Sequence, residues 1–220
     1  MTCKIQIALD TLDIDEAIRL AELTHENVDI LEAGTPLIKS VGIKIVSMLK
    51  EKYPDKLVLA DLKSSDVGSY EANMAFKAGA DIVTTQGITT LATIESVQRE
   101  ADKWQRRAEV DMTGVADVVK RTHELMKIGV NLILYHRSID EELNIGAAWN
   151  ESAFQTLQTL CELKIDVGVA GGINLDNVTN LLEYPLFSIV IGRGITAQKN
   201  PSGVAEEFKR RLISANRQKT

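Results

Sequence analysis

The sequence Lys56-Leu-Val-Leu-Ala-Asp-Leu-Lys-Ser-Ser-Asp-Val-Gly68 begins as a buried strand and ends in a cluster of charges. Its apolar run, Leu57–Ala60, has the length and composition of a strand in a protein core. The charged residues Asp61, Lys63 and Asp66 follow, and strand alternation turns Asp61 and Lys63 to the same side. Such charges are costly at the end of a buried strand unless they pair or bind a ligand. From spacing alone, a solvated loop with an incidental ion pair explains them equally well.

Seven further apolar runs resemble this one, and each of the eight is followed by a segment with helical spacing. The predicted strands are 5–9, 28–31, 57–60, 80–84, 108–112, 130–135, 165–170 and 187–191. The predicted helices are 13–23, 36–52, 70–77, 91–104, 115–126, 153–163, 175–182 and 201–213. This alternation predicts an α/β fold with parallel strands, and eight units in 220 residues are typical of a single (β/α)₈ TIM barrel over residues 1–220. The alternative is an open doubly wound sheet.

The composition is that of a globular domain and argues against several other classes of protein. A hydrophobic content of 45% is enough for a large core, and a net charge of −6 with mixed signs argues against a nucleic-acid partner. Cys3 and Cys161 are far apart and lack CxxC spacing, which fits a reduced, cytoplasmic protein. The N-terminus enters a strand pattern without a signal-peptide layout, and no apolar run is long enough for a membrane span.

Polar residues stand where the predicted strands end, which is where the active site of such a barrel lies. These residues are Asp10, Glu32, Asp61, Lys63, Asp66, Asp111, Thr113, His136, Arg137 and Asp140. Each has an ordinary explanation, since strand ends are commonly polar and a lone histidine is more often structural. Together, however, carboxylates that converge on one mouth repel and raise each other's pKa. A divalent cation would relieve this repulsion, and the all-oxygen pair Glu32 and Asp61 suits Mg²⁺ better than Zn²⁺.

Two glycine-rich turns end the seventh and eighth predicted strands. They are Gly171-Gly172 and Gly192-Arg193-Gly194. Barrels frequently bind phosphate at these two loops, where glycine lets backbone N–H groups approach the anion and an arginine adds a forked donor. Either turn alone is explained by the ordinary preference for glycine in tight turns, but the pair predicts a phosphorylated small molecule as the ligand.

These features together resemble the orotidine 5′-phosphate decarboxylase suprafamily. The match rests on Asp10, Glu32, the Asp61-x-Lys63-x-x-Asp66 motif, Tyr135-His136, Ala170-Gly-Gly172 and Gly192-Arg193, and it extends from about Ile5 to Leu212. Within the suprafamily the chain is similar to the Mg²⁺-dependent branch of 3-hexulose-6-phosphate synthases and 3-keto-L-gulonate 6-phosphate decarboxylases. The resemblance implies a carbon–carbon lyase that acts through a 1,2-enediolate of a pentulose 5-phosphate held on Mg²⁺.

The resemblance also implies residue roles and an assembly. The implied catalytic residues are Lys63, Asp66, Asp111 and His136; the implied substrate-binding residues are Asp10, Asp61, Ala170, Gly172, Gly192 and Arg193; and the implied metal ligands are Glu32 and Asp61. Lys63 would support the enediolate oxygens, His136 would be the acid or base at the reacting carbon, and the two glycine turns with Arg193 would take the phosphate. The substrate would be a phosphorylated ketose. The protein would be a homodimer in which Asp66 reaches into the neighbouring site.

Three positions distinguish the two reactions of the branch. Decarboxylases carry Glu, Arg and Thr where this chain has Asp111, Ile139 and Ala170, so all three positions are synthase-like. Isoleucine cannot donate a hydrogen bond for proton delivery, and the shorter Asp111 and Ala170 leave room for a second carbonyl. The segments Tyr135-His-Arg-Ser138 and Gly146-Ala-Ala-Trp149, together with Gly192-Arg193, nevertheless look like those of decarboxylases.

The first expectation is therefore 3-hexulose-6-phosphate synthase chemistry, the aldol addition of D-ribulose 5-phosphate to formaldehyde. The alternative is decarboxylation of 3-keto-L-gulonate 6-phosphate to L-xylulose 5-phosphate and CO₂. A metal-independent orotidine 5′-phosphate decarboxylase is disfavoured by Glu32 and by Leu62, which stands where that enzyme has a further charged residue. A phosphosugar-binding barrel without catalysis is a third possibility.

Overall fold

Eight parallel strands close into a barrel in chain order, with β8 hydrogen-bonded to β1. The computed structural model describes residues 3–138 and 149–218. Strands β1 to β8 are Lys4–Leu9, Ile30–Ala33, Leu57–Ser64, Ile82–Gln86, Arg107–Asp111, Leu132–His136, Asp166–Ala170 and Ser188–Ile191. The predicted (β/α)₈ barrel is confirmed, and the open doubly wound sheet is wrong.

Helices cover the outside of the barrel. In the described chain, α1 to α10 are Ile14–Thr24, Thr35–Val41, Lys44–Lys52, Gly68–Lys77, Leu91–Trp104, Val118–Met126, Glu151–Glu162, Val178–Leu181, Arg193–Thr196 and Pro201–Gln218, and a 3₁₀ turn spans His25–Asn27. Capping side chains fix several helix starts, because the first backbone N–H groups have no partner within the helix. Asp13, for example, accepts a hydrogen bond from the Glu16 N–H at 2.9 Å. No helix of the described residues is long and apolar enough to cross a bilayer.

Several element boundaries differ from those predicted, and three of the differences are substantial. The single helix expected over 36–52 is two helices, α2 and α3, because Gly42 adopts a φ of 78° and ends α2. The helix expected over 175–182 shrinks to the four residues of α8. Strand β3 continues to Ser64, so Asp61 and Lys63 belong to the strand itself.

The barrel interior changes from apolar to polar along its axis. One end is filled by the buried side chains of Ile30, Leu59, Ile82, Leu132 and Phe187. The Lys4 ammonium lies 4.4 Å from the centre of the Phe187 ring at this end. Truncating such a buried side chain to alanine costs about 2–5 kcal/mol. Toward the carboxyl ends the apolar residues are fewer and smaller, and the charged side chains of the site occupy the space.

Candidate active site

An irregularity in β3 sets the position of Lys63. The pairing of β3 with β4 shifts register between Ala60 and Ser64, and Lys63 adopts a φ of 47° in the left-handed region. A non-glycine residue in this region costs on the order of 1–3 kcal/mol and is held by its surroundings. The Lys63 N–H donates to the Thr84 hydroxyl at 2.9 Å, which ties the irregular residue to β4.

Lys63 lies between two carboxylates. Its Nζ is 2.6 Å from Asp61 Oδ2 and 3.0 Å from Asp111 Oδ2. Burial opposes the ammonium charge, but Asp61, Asp111 and Glu32 outweigh burial and raise the pKa of Lys63 above its usual value. Lys63 is therefore a fixed cation. An ammonium has three hydrogens, and these two carboxylates take two of them.

Asp111 joins Lys63 to His136. The same Oδ2 atom lies 3.0 Å from His136 Nδ1, while Oδ1 accepts hydrogen bonds from the Thr113 N–H at 2.9 Å and the Thr113 hydroxyl at 2.6 Å. Burial would raise the pKa of Asp111, but His136, Lys63 and Thr113 outweigh burial and lower it. Because an ionised Asp111 can only accept hydrogen bonds, His136 Nδ1 is the donor in this contact, and Nε2 is not held by Asp111.

Asp61 is held by hydroxyl groups as well as by Lys63. The Thr84 hydroxyl donates to Oδ1 at 2.7 Å, and the Thr35 hydroxyl donates to Oδ2 at 2.6 Å. Thr35 opens α2, and Thr84 lies on β4, so both elements adjacent to the end of β3 fix this carboxylate. The orientation of Asp61 is thus set before any ligand arrives.

Glu32 and Asp10 complete a group of carboxylates beside Asp61. Burial, then Asp61 and Asp10, raise the pKa of Glu32 well above its ordinary value, and burial and Asp61 likewise raise the pKa of Asp10. Gln6 donates to Glu32 Oε2 at 2.7 Å. No set of three or more metal-binding side chains is found in residues 3–138 and 149–218. The oxygen donors of Glu32 and Asp61 nevertheless fit a hard cation such as Mg²⁺, which keeps several waters.

The two glycine turns meet at the same mouth of the barrel. Gly171 and Gly172 have φ values of 98° and 58°, a conformation that favours glycine. A Cβ on Gly194 would overlap the Ile173 carbonyl oxygen, so the two turns pack closely. A Cβ on Gly192 would lie 3.7 Å from Asp10 Oδ2, which places this turn next to the carboxylate group.

The predicted site residues fall into three groups. The structure brings Asp10, Glu32, Asp61, Lys63, Asp111 and His136 together and sets Ala170, Gly172, Gly192 and Arg193 at the same end of the barrel. Asp66 is exposed, and its carboxylate accepts a hydrogen bond from the neighbouring Val67 N–H at 2.8 Å. Ile139 and Asp140 lie outside the described residues.

Buried polar residues of the barrel that the sequence pattern did not single out include Gln6, Thr84, Glu109 and Ser188. Gln6 and Glu109 lie within strands, away from the strand ends where this fold places an active site. Strand alternation offered a signal, since Glu109 is two residues from Asp111 and must share its face.

The chain is similar in sequence and in structure to several known proteins. A family described as "Orotidine 5′-phosphate decarboxylase / HUMPS family" matches residues 3–208. A 3-hexulose-6-phosphate synthase of Methylomonas aminofaciens is 39% identical over 205 residues, which cover 92% of this chain and 96% of that protein. A 3-keto-L-gulonate-6-phosphate decarboxylase of Salmonella typhi is 31% identical, with 94% and 95% covered. A crystal structure of KGPDC from Streptococcus mutans has a TM-score of 0.92 at 29% identity, with 97% and 98% covered.

Proposed function

Because the chain belongs to the orotidine 5′-phosphate decarboxylase / HUMPS family, we propose that it is a Mg²⁺-dependent carbon–carbon lyase and, as first choice, a 3-hexulose-6-phosphate synthase. The observation that carries the proposal is the arrangement of Asp111, which binds the Lys63 ammonium and His136 Nδ1 through one oxygen atom. This arrangement joins the Lys63 ammonium to an imidazole whose Nε2 can exchange a proton with the substrate. Enediolate chemistry requires both groups.

His136 acts first on D-ribulose 5-phosphate. Its Nε2 removes the C1 proton, and the electrons of the C–H bond form the enediolate. Asp111 holds the protonated Nδ1 and stabilises the imidazolium that results, as a carboxylate does behind a catalytic histidine. The enediolate carbon then forms a bond to the formaldehyde carbon. The new alkoxide takes up the proton from the His136 imidazolium, which regenerates the base and closes the reaction without a redox change.

Lys63 stabilises the charge that develops on the substrate oxygens. Its Nζ lies within 3.0 Å of one oxygen each of Asp61 and Asp111, which leaves its remaining N–H for a substrate oxygen. A preorganised donor of this kind lowers the barrier because it needs no reorganisation during the reaction. Mg²⁺ bound by Glu32 and Asp61 would supply Lewis-acid stabilisation of the same charge. Gly172, Gly192 and Arg193 bind the phosphate and so position the carbon skeleton.

The choice of synthase over decarboxylase rests on side-chain length. Asp111 and Ala170 lie at the ends of β5 and β7, and both are shorter than the Glu and Thr of the decarboxylases. The shorter residues leave room near the reacting carbon for formaldehyde. Support also comes from the 39% identity to a synthase, against 31% to a decarboxylase.

A side-by-side assay tests the choice. One arm offers D-ribulose 5-phosphate with formaldehyde, and the other offers 3-keto-L-gulonate 6-phosphate, each with Mg²⁺ and with EDTA. We expect the first arm to be faster and EDTA to abolish both activities. Asp111→Glu should move the ratio toward decarboxylation. A wild-type ratio that strongly favours decarboxylation would replace the first choice, and full turnover after metal removal would overturn Mg²⁺ dependence.

A homodimer with shared sites is part of the proposal. Large hydrophobic side chains are exposed on the segments that follow β3 and β4, the first of which carries Asp66; they are Val67, Tyr70, Met74, Ile88 and Leu91. Tyr70 is 75% exposed and Val67 is 60% exposed. An exposed apolar patch of this kind is typical of an interface between subunits. The Thr89 hydroxyl donates to the Ser65 carbonyl at 2.5 Å, so the loops that carry Asp66 and this patch support each other.

Mixing two inactive variants tests the shared site. Asp66→Asn and His136→Ala are each expected to be inactive alone. In a mixed dimer, one of the two sites combines an intact His136 with the partner's intact Asp66. Random reassembly should therefore restore roughly a quarter of wild-type activity. No recovery from a mixture that contains mixed dimers would show that Asp66 acts within its own subunit.

A further inference from the structure

Glu109 is a fully buried acid that the proposed reaction does not use. It lies on β5 two residues before Asp111, so both side chains point into the barrel. Its exposed fraction is 0%, and neither carboxyl oxygen has a hydrogen-bond partner among the protein groups of the described residues. A buried polar group without a partner costs on the order of 1–3 kcal/mol. An acid here therefore needs a ligand.

The Glu109 carboxyl lies near Gly168 of β7, two strands away around the barrel. A Cβ built on Gly168 would lie 2.8 Å from Ser188 Oγ, 3.1 Å from Leu134 Cδ1 and 3.3 Å from Glu109 Oε1. Both oxygens therefore lie close to the bare backbone of Gly168, where a side chain would crowd them. The Ser188 hydroxyl is likewise fully buried and has no partner among the described residues.

The amide oxygen of Gln6 is a third buried polar atom of this kind, and the amide nitrogen of the same residue contacts the proposed metal ligand Glu32. The Gln6 nitrogen donates to Glu32, whereas the Gln6 oxygen is buried without a partner in the described chain. Gln6 lies on β1, which pairs with the β8 strand of Ser188. Three strands thus direct unpaired oxygen atoms into the barrel interior beneath the site.

The protonation of Glu109 suits a neutral ligand. Burial raises the pKa of Glu109 to about 8, with further contributions from the negative charges of Asp111 and Asp61. At neutral pH the carboxyl is therefore mostly protonated and can both donate and accept a hydrogen bond. Water, which also donates and accepts, matches this set of oxygen atoms. Water molecules in protein interiors typically make two to four such bonds.

We propose that Glu109, Ser188 and Gln6 bind internal water beside Gly168, and that this hydrated cluster positions Glu32 through the Gln6 amide. The water site itself is independent of the reaction. The positioning of Glu32 rests on the proposed function, because it matters only if Glu32 binds Mg²⁺. Partners behind a metal ligand fix its orientation and are commonly worth about 10–100-fold in metal affinity.

A high-resolution crystal structure of the full chain tests the water site. We expect at least one ordered water within hydrogen-bonding distance of both the Glu109 carboxyl and the Ser188 hydroxyl. In Gly168→Ala, the added methyl group should displace it. A direct Glu109–Ser188 hydrogen bond in a dry cavity would overturn the proposal. So would a bound cation, recognised by a potassium- or sodium-dependent melting temperature that Glu109→Gln abolishes.

Calorimetric titration with Mg²⁺ alone tests the positioning of Glu32. Gln6→Leu should raise the Mg²⁺ dissociation constant about tenfold or more, and Ser188→Ala and Gly168→Ala about threefold. The matched control is Thr122→Val, which removes a fully buried hydroxyl bonded to the Val118 carbonyl on α6 and should leave the constant unchanged.

Unchanged affinity in Ser188→Ala and Gly168→Ala, with loss in Gln6→Leu, would overturn the contribution of water to positioning. If Gly168→Ala fails to fold, Ser188→Ala alone decides. If the wild-type protein binds no Mg²⁺, the proposed function and the positioning of Glu32 both fail. The electron density at Glu109 then decides the water site by itself.

Discussion

Asp111 and Glu109 lie two residues apart on the same strand and face the same barrel interior, yet their carboxyl groups are in opposite electrostatic states. Asp111 is bound by Lys63, His136 and Thr113, and these partners lower its pKa despite burial. Glu109 has no such partner in residues 3–138 and 149–218, and burial raises its pKa to about 8. Two acids with nearly the same burial therefore differ because of what surrounds them.

The difference shows what a cation contributes inside a barrel. One ammonium group, that of Lys63, bridges Asp61 and Asp111 and makes their charges tolerable. One layer below, the barrel leaves an acid without a cation in hydrogen-bonding contact, and protonation is the remaining way to lower the cost. The upper layer thus holds fixed charges for chemistry, while the lower layer holds a neutral polar group.

Removing Lys63 should have the largest effect, because its ammonium group distinguishes the surroundings of Asp111 from those of Glu109. In Lys63→Met, Asp61 and Asp111 face each other without a cation, and we expect stability to fall by about 3–5 kcal/mol. Activity should fall roughly 10³-fold or more, because the oxyanion donor is lost. Denaturant unfolding and steady-state kinetics measure the two effects. Lys103→Met, which removes a 69% exposed lysine, is the control and should change stability by less than about 1 kcal/mol. Near-normal turnover in Lys63→Met would contradict the role of the ammonium.

The upper layer was largely predictable from the sequence, whereas the lower layer was not. Asp61, Lys63 and Asp111 follow apolar runs, and the barrel topology alone brings such strand ends together. Glu109 stands inside its run, where an isolated glutamate is ordinarily turned to solvent. The groups that surround the Glu109 carboxyl include Gly168 and Ser188, which are nearly 60 and 80 residues further along the chain. The same limit explains α2 and α3, since sequence periodicity did not reveal the left-handed conformation of Gly42.

The pH dependence of stability should reveal the raised pKa of Glu109. The pKa of Glu109 is about 8 in the folded protein, against an ordinary value of 4.5. Between these values the unfolded chain binds fewer protons than the folded one, so stability falls as pH rises through this window. Glu109→Gln cannot ionise and should lose less stability between about pH 6 and pH 9. The difference should be a few kcal/mol.

Denaturant unfolding of both proteins at the two pH values checks this prediction. The charged groups that act on Glu109 are Asp111, Asp61, Lys63 and Arg107, and all of them are kept in the variant. Glu51→Gln removes an exposed glutamate on α3 and should follow the wild-type pH dependence. Parallel curves for wild type and Glu109→Gln would mean that Glu109 has a charged partner after all.

The smallest expected effect concerns Thr113, the neutral partner of Asp111. In Thr113→Val the hydroxyl that donates to Asp111 Oδ1 at 2.6 Å is lost, but the backbone N–H of the same residue still donates to that oxygen at 2.9 Å. We therefore expect a loss near 1 kcal/mol, or roughly fivefold in kcat/KM. Thr159→Val, which removes an exposed hydroxyl on α7, is the control and should be neutral. Lys63 and His136 still lower the pKa of Asp111 in the variant, so the Asp111 carboxylate should still hold both partners. A loss of kcat/KM in Thr113→Val as large as that in Lys63→Met would mean that Thr113, more than Lys63 and His136, separates Asp111 from Glu109.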